Sequence, residues 1–222
     1  MNESGISAPP VVYASFPQRL DRARFIADRF RTHIQGDVLD VGCDEGHLRT
    51  LVPGIHYTGI DVGGTPDLTV DLEATERLPF EDDAFDCLIC SDVLEHLDSL
   101  HRTFGELVRV CRGQLIISLP NNWTNARQPI ERGHGSFSHY GLPPERPVDR
   151  HKWFFSLADA QAFYHAQTEK YPIRIEECFA MEKPRPALVR AARRLRYPNR
   201  LHYLNRYAHT LWVRYAKLEQ PR

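Results

Sequence analysis

Two acidic side chains and two glycines define the first chemistry open to this chain. Residues 38–46 read VLDVGCDEG, an apolar run closing on Asp40 and followed by Gly42 and Gly46. A second apolar run, TGID, closes on Asp61, 21 positions after Asp40. Glycine has no Cβ, so a turn built on it lets backbone N–H groups approach a ligand closely. An acid about 20 residues beyond such a turn is where an open α/β sheet offers a carboxylate to ribose hydroxyls. Each feature has an ordinary reading alone, a tight turn for the glycines and a helix N-cap for Asp61. Together they describe a seat for a nucleoside-containing cofactor.

A second group is rich in histidine. His96 follows an apolar strand in LEHL, where a proton acceptor could reach the cleft, or where the ring could simply bond to backbone. His134, His139 and His151 fall in GHGSFSHYGLPPERPVDRHKWFFS, and Asp149 stands two residues before His151. Asp149 and His151 are expected to form an oriented acid–base pair or to pin the segment down. Asp149 and His151 alone are too few to assign a metal site. Cys87 and Cys90 have CxxC spacing, but FDCLICS reads as a buried strand whose positions i and i+3 face opposite ways. They are expected to be core.

The elements that must position these groups follow from the apolar pattern. Residues 1–12 are expected to be disordered, and 16–34 to form an amphipathic helix around Leu20, Phe25, Ile26 and Phe30. Strands at 38–42, 56–61, 67–71, 85–91 and 114–119 alternate with helices at 46–52 and 98–110, which argues for βαβ units and a parallel sheet. Residues 120–152 lack periodicity and read as a long functional loop. Ser156 and Asp159 form a capping box for a helix reaching about Lys170. Residues 173–181 alternate like a strand, 186–207 read as a helix broken at Pro198, and 209–218 as a closing strand.

The chain has 222 residues, 42% hydrophobic and 26% charged, enough for one α/β domain and too few for two sizeable ones. No apolar run reaches the roughly 20 residues needed to span a bilayer. The first ten residues lack the basic-then-apolar order of a secretory signal, and the five cysteines are scattered through apolar runs. The expected location is the cytoplasm. The net charge of −1 conceals a basic end: residues 183–222 carry 11 Lys and Arg against one acid. Such an end suits an anionic partner or surface, or packs against the chain's own acidic body.

VLDVGCDEG, TGID, LPFEDDAFDCLICSDVLEHL (78–97) and QLIISLPN (114–121) together resemble the class I S-adenosylmethionine-dependent methyltransferases, in the family's order and spacing over roughly residues 36–121. The resemblance implies a Rossmann-like α/β fold: a seven-stranded, mostly parallel sheet with the last strand antiparallel, 209–218 lying beside 173–181. An N-terminal helical cap and a long insertion after the fifth strand complete a single domain. Its parts are tail and cap (1–35), cofactor half (36–119), acceptor-pocket insertion (120–155) and C-terminal half with the basic segment (156–222). By position, Asp40, Gly42, Cys43 and Gly46 would lie at the amino-acid end of S-adenosylmethionine. Asp61 and Val62 would lie at the ribose, Asp71 and Leu72 at the adenine, and Ser91 and Asp92 beside the sulfonium. Asp44 stands where the family usually has glycine, which is expected to weaken cofactor binding unless Arg22 or Arg24 compensates, although both arginines read better as a solvated helix face.

The stretch HYGLPPERPVDRHKWFF also resembles one in methyltransferases that accompany bacterial surface-polysaccharide assembly. It implies O-methylation of a saccharide or lipid-linked saccharide, with His96, His139, His151 and Asp149 as catalytic candidates. Trp123, Tyr140, Trp153 and Phe154 could stack on sugar faces, and Arg127, Arg132 and Arg150 could hold an anionic group. The basic end would touch anionic membrane or serve a homodimer. Methylation of a soluble small molecule, or a non-catalytic scaffold, are the rival readings. Nucleic acid is not expected as a substrate, since no N-P-P-Y-type motif follows the fourth strand.

Overall fold

A computed structural model describes residues 7–134, 139–145, 147 and 149–218. One sheet of eight strands runs through it: β1 (Val11–Tyr13), β2 (Asp37–Val41), β3 (His56–Asp61), β4 (Leu68–Thr69), β5 (Phe85–Ser91), β6 (Cys111–Pro120), β7 (Ile173–Glu182) and β8 (Ala208–Lys217). Their order is β1-β7-β8-β6-β5-β2-β3-β4. β8 is antiparallel to both β6 and β7, and the other neighbours pair in parallel. The expected Rossmann-like architecture and its antiparallel last strand are therefore present.

The eighth strand is a correction. Residues 11–13, the first two of them expected to lie in a disordered tail, pair with Ala180, Met181 and Glu182 at the sheet edge. Three residues carry too little periodicity to be read as a strand without their partner. The first six residues of that expected tail lie outside the described set.

The helices are α1 (Arg19–Arg29), α2 (Leu48–Leu51), α3 (Leu100–Val110), α4 (Asn122–Glu131), α5 (Leu157–Lys170), α6 (Ala187–Arg196) and α7 (Arg200–Tyr207). α4 is a second correction, because the loop expected over 120–152 opens with three turns of helix. Pro129 sits in its last turn, where it forgoes one intrahelical N–H bond and the helix stops two residues later. The Ser156–Asp159 capping box is formed as expected, with the Asp159 N–H donating to Ser156 Oγ at 3.2 Å. Pro198 separates α6 from α7, and Asn199 caps the latter.

Apolar side chains fill both faces of the sheet. Ala23 and Ile26 of α1, with Phe30 at its C-cap, pack with Phe179 and Trp212 on one side, and Phe104 and Leu107 of α3 pack with Tyr164 and Tyr215 on the other. Cys87 faces the first layer and Cys90 the second, so their CxxC spacing belongs to the core. Burial between two layers brings the carboxyl ends of β2, β3 and β5 to one edge of the molecule, where the chemistry collects.

Candidate functional site

The chain leaves β2 through a turn in which Gly42, Asp44 and Gly46 all have positive φ, at +73°, +51° and +62°. A Cβ on Gly42 would run into Val93 just beyond β5, so this turn and the segment after β5 pack backbone to side chain. Asp44 does occupy the left-handed region that its departure from glycine implied, at a cost of about 1 kcal/mol. Its N–H donates to Asp61 Oδ2 at 2.8 Å, which holds the turn against the end of β3. Its own carboxylate lies 2.5 Å from the Arg19 guanidinium. The compensating cation is therefore Arg19, neither of the two arginines expected.

Arg22 is not a solvated residue. Its Nη2 reaches Asp92 Oδ2 at 2.9 Å, while Arg24 stays on the exposed face beside Asp21. In sequence Arg22 looked like one charge among several on an amphipathic helix, and only tertiary packing sets it apart.

Asp40 is buried, and its Oδ2 accepts from the Tyr57 hydroxyl at 2.8 Å. Burial pushes its carboxyl up to about 6, with the Tyr57 hydrogen bond opposing and Asp61 adding to the rise. Cys43 is buried beside it, its thiol pushed up to about 11 by burial first and by Asp40 next. Asp61 Oδ1 accepts from the N–H groups of Val62 and Gly63, and the Val62 side chain is exposed. Asp71 is exposed and turns the chain by accepting from the N–H groups of Glu73 and Ala74, whereas Leu72 is buried. Ser91 Oγ lies 2.9 Å from Ser118 Oγ, which donates to Asp92 Oδ1 at 2.6 Å. Asp92 itself has φ +52°. Ser118 was missed, although a lone hydroxyl inside the apolar run QLIISLP was a usable signal.

A 3₁₀ turn, Leu94–His96, follows β5 and presents His96 toward the insertion. The insertion is pinned to it. The Lys152 N–H donates to Glu95 O at 2.8 Å, and Trp153 Nε1 donates to Leu97 O at 2.7 Å. Asp149 Oδ1 lies 2.6 Å from Nδ1 of His96, and its Oδ2 lies 3.3 Å from Nδ1 of His139. His151 is buried, with Nδ1 2.9 Å from Asn122 Nδ2 and 3.0 Å from Tyr140 Oη. The expected Asp149–His151 pair is thus replaced by Asp149 shared between His96 and His139. The His151 N–H donates to His139 O, which turns the ring inward to Asn122 while Asp149 remains outside. Burial lowers His96 and takes His151 down to about 4, so both rings are neutral at pH 7. His134 is exposed at the end of α4 and stands apart from this cluster.

Of the expected anion-holding arginines, Arg127 is bound to Glu131 at 2.8 Å, and Arg132 and Arg150 are exposed. A groove of about 570 Å³ runs from Trp123 and Ile130 past Phe154 to Tyr197 and Arg206. Phe154 packs edge-on against Tyr140, which in turn packs against His151, so the groove lies one ring from the histidines.

Residues 16–165 match the model of the methyltransferase domain family. The chain belongs to that family. It is an S-adenosylmethionine-dependent methyltransferase of class I, and the family implies S-adenosylmethionine as the methyl donor. The fold matches an S-adenosylmethionine-dependent methyltransferase from Archaeoglobus fulgidus with TM-score 0.58 at 16% identity, covering 91% of this chain and 96% of the other. It also matches one from Mesorhizobium loti with TM-score 0.54 at 15% identity, covering 89% and 100%. The [4+2]-cyclase SpnF matches with TM-score 0.54 at 16% identity, covering 90% and 82%. A cyclase on this fold shows that the acceptor and its reaction must be argued from the site. No curated protein matches the sequence.

The residues present fit the cofactor. Asp40 and Asp61 stand on adjacent parallel strands near their carboxyl ends, and Gly42 and Gly46 add no side chain at two positions of the turn after β2. Asp61 accepts from three N–H groups, Asp44 on Oδ2 and Val62 and Gly63 on Oδ1, which leaves about one lone pair, on Oδ2, for a hydroxyl donor.

Proposed function

We propose that this single-domain methyltransferase transfers the methyl group to a hydroxyl of a saccharide, with a lipid-linked saccharide as the preferred acceptor. When bound, S-adenosylmethionine supplies an electrophilic methyl carbon on a sulfonium. In this reading Asp61 and Val62 hold the ribose, Asp71 and Leu72 flank the adenine, and Asp40, Gly42, Cys43 and Gly46 enclose the amino-acid end. Ser91 and Asp92 border the methyl group. The leaving group is already good, so the protein's work is to align the acceptor oxygen, exclude water and relieve that oxygen of its proton.

One observation carries the acceptor side: a single carboxylate, Asp149, sits between His96 and His139 at the carboxyl end of β5. It draws the ring hydrogen of each to Nδ1 and leaves the Nε2 lone pairs free to activate a hydroxyl. His151 completes the cluster from the buried side. The exposed rings of Trp123, Trp153 and Phe154 suit the faces of a sugar.

A membrane-facing acceptor is supported by α6. Leu188 and Leu195, seven residues apart on one helical face, are both 85% exposed, and Arg190, Arg193, Arg194 and Arg196 surround them. An amphipathic basic helix of this kind binds anionic lipid. Part of the basic end is spent internally, since Arg193 pairs with Glu182, Arg206 with Glu131 and Lys217 with Asp83. No helix among the described residues is long and apolar enough to cross a membrane.

Labelled methyl transfer to a panel of nucleotide-linked and lipid-linked sugars tests the proposal. A saccharide product whose formation falls more than about tenfold in His96→Ala supports it. Turnover confined to non-sugar acceptors contradicts the substrate class. Flotation with anionic and neutral vesicles tests α6, and equal partition between them would remove the membrane contact.

A further inference from the structure

Three imidazoles and a buried carboxyl converge where the insertion meets the turn after β5. One ring nitrogen from each of His96, His139 and His151 falls within 4.8 Å of the others. His139 stacks on His151 with centroids 4.5 Å apart at 10°, and His96 meets His151 edge-on at 4.5 Å. Nitrogens bound at about 2.0–2.1 Å to one tetrahedral ion lie roughly 3.4 Å from one another. The nitrogens must close by at most about 1.4 Å, from 4.8 Å, to reach that spacing.

Two independent features point the cluster at a cation. The first is Asp149, whose two oxygens face Nδ1 of His96 and Nδ1 of His139. Outer carboxylates of this kind fix the tautomer and orientation of imidazoles that bind metal through Nε2. The second is Glu95, which is fully buried, and among the described residues neither of its oxygens has a hydrogen-bond partner. Its Oε1 lies 3.8 Å from His96 Nε2. Buried carboxyl groups without partners are costly and rare, and methyl transfer gives this one no task. A bound cation would supply the missing partner.

We infer that His96, His139 and His151, together with the Glu95 carboxylate, bind one divalent transition-metal ion, with Asp149 as the residue that positions two of the rings. Imidazole-rich sites with one carboxylate favour zinc, cobalt or nickel over magnesium and calcium. The inference rests on the reading of this cluster as the acceptor side, and with an ion bound the metal takes over the activation of the hydroxyl from the free Nε2 lone pairs. An acceptor hydroxyl that joins these four ligands as a fifth is polarised and loses its proton to solvent water. Its oxygen then bonds to the methyl carbon as the carbon–sulfur bond breaks and the thioether departs.

The ligands are not equivalent. Asn122 Oδ1 accepts from the Phe155 N–H, which aims the Asn122 amide nitrogen at His151 Nδ1. In that arrangement Nδ1 carries the lone pair and Nε2 the hydrogen. Ligation through Nε2 moves the hydrogen to Nδ1, where Tyr140 Oη, 3.0 Å away, accepts it and the Asn122 donor loses its partner. His151 therefore contributes least to affinity.

Cobalt titration of the chelator-stripped full-length protein, followed by visible absorption, provides the test. The expected result is one saturable equivalent with the bands of a low-coordinate N/O site. His96→Ala and His139→Ala should each weaken binding by more than tenfold, Asp149→Asn by about 10–100-fold, and His151→Ala by less than either histidine variant. His139 lies on the exposed insertion, and circular dichroism of each variant controls for folding. Absence of saturable cobalt binding by the folded protein overturns the inference, as does affinity unchanged in the His96→Ala/His139→Ala double variant. Calorimetry with S-adenosylmethionine on the same sample separates the two levels. Cofactor binding without cobalt sinks only the metal site, and cobalt binding without cofactor sinks the function proposed above.

Discussion

Arg22 on α1 reaches across the cleft to Asp92 at the end of β5, with Nη2 2.9 Å from Oδ2. Three residues earlier, Arg19 holds Asp44 in the turn after β2. α1 thereby straps both walls of the proposed cofactor seat with guanidinium groups, offsetting an edge that otherwise gathers Asp40, Asp44, Asp61 and Asp92. The Arg22–Asp92 pair is only partly exposed, so a double-mutant cycle with Arg22→Met and Asp92→Asn should show a coupling of about 1 kcal/mol. The same cycle on Arg19 and Asp44 should give less, because Arg19 is 72% exposed. Urea unfolding of the variants measures both.

Asp40 links stability to pH. Its folded carboxyl titrates near 6, against about 3.9 in an unfolded chain. The folded state therefore holds the proton more tightly. Asp40 imposes no penalty below about pH 4 and a growing one as the pH rises through 6, worth on the order of 2–3 kcal/mol. Asp40→Asn, which can still accept from Tyr57, should raise the denaturation midpoint at about pH 8 and leave it unchanged at about pH 4. A midpoint shift independent of pH would show that burial does not set this group's titration.

Asp44 should prefer glycine to alanine. Asp44→Gly removes the cost of φ +51° and loses only a solvated ion pair, so stability should change by less than about 1 kcal/mol. Asp44→Ala keeps the strained backbone without the side chain that tolerates it, and should destabilise by about 1–2 kcal/mol. With one carboxylate fewer beside the cofactor's own, Asp44→Gly should also bind S-adenosylmethionine more tightly. Thermal melts and calorimetry on both variants check this.

Asn122 anchors the insertion from below. It is fully buried, donates to His151 and accepts from the Phe155 N–H. Asn122→Ala leaves the Phe155 N–H unsatisfied, while Tyr140 Oη remains at His151 Nδ1, and should cost about 1–3 kcal/mol. Amide exchange at Phe155 should quicken by a larger factor than in the core strands.

Much of the cofactor half was legible because its signals are local. The apolar run of β2, the glycine turn, the acid at Asp61 and the alternation that puts Cys87 and Cys90 on opposite faces all lie within a few residues of one another. The misses are non-local. β1 exists only through its pairing with β7, and α4 was hidden because Pro129 and the polar residues around it read as loop. Arg22 differs from its solvated neighbours only in what stands opposite. Asp149 had His151 two residues away in sequence but finds His96 and His139 in space, since the insertion folds back onto the turn after β5. Glu95, flanked by leucine and histidine in LEHL, gave no sign that its carboxyl would be sealed inside.

The seat between Gly42 and Asp61 is the claim on which the rest depends, and calorimetry of S-adenosylmethionine against wild type, Asp61→Asn and Asp61→Ala tests it most directly. Wild type should bind with a dissociation constant of about 1–100 µM. Asp61→Ala should lose at least tenfold, and Asp61→Asn, which keeps an acceptor for the Asp44 N–H, should fall between them. Equal affinity in all three proteins, or no binding by the folded wild type, would contradict it.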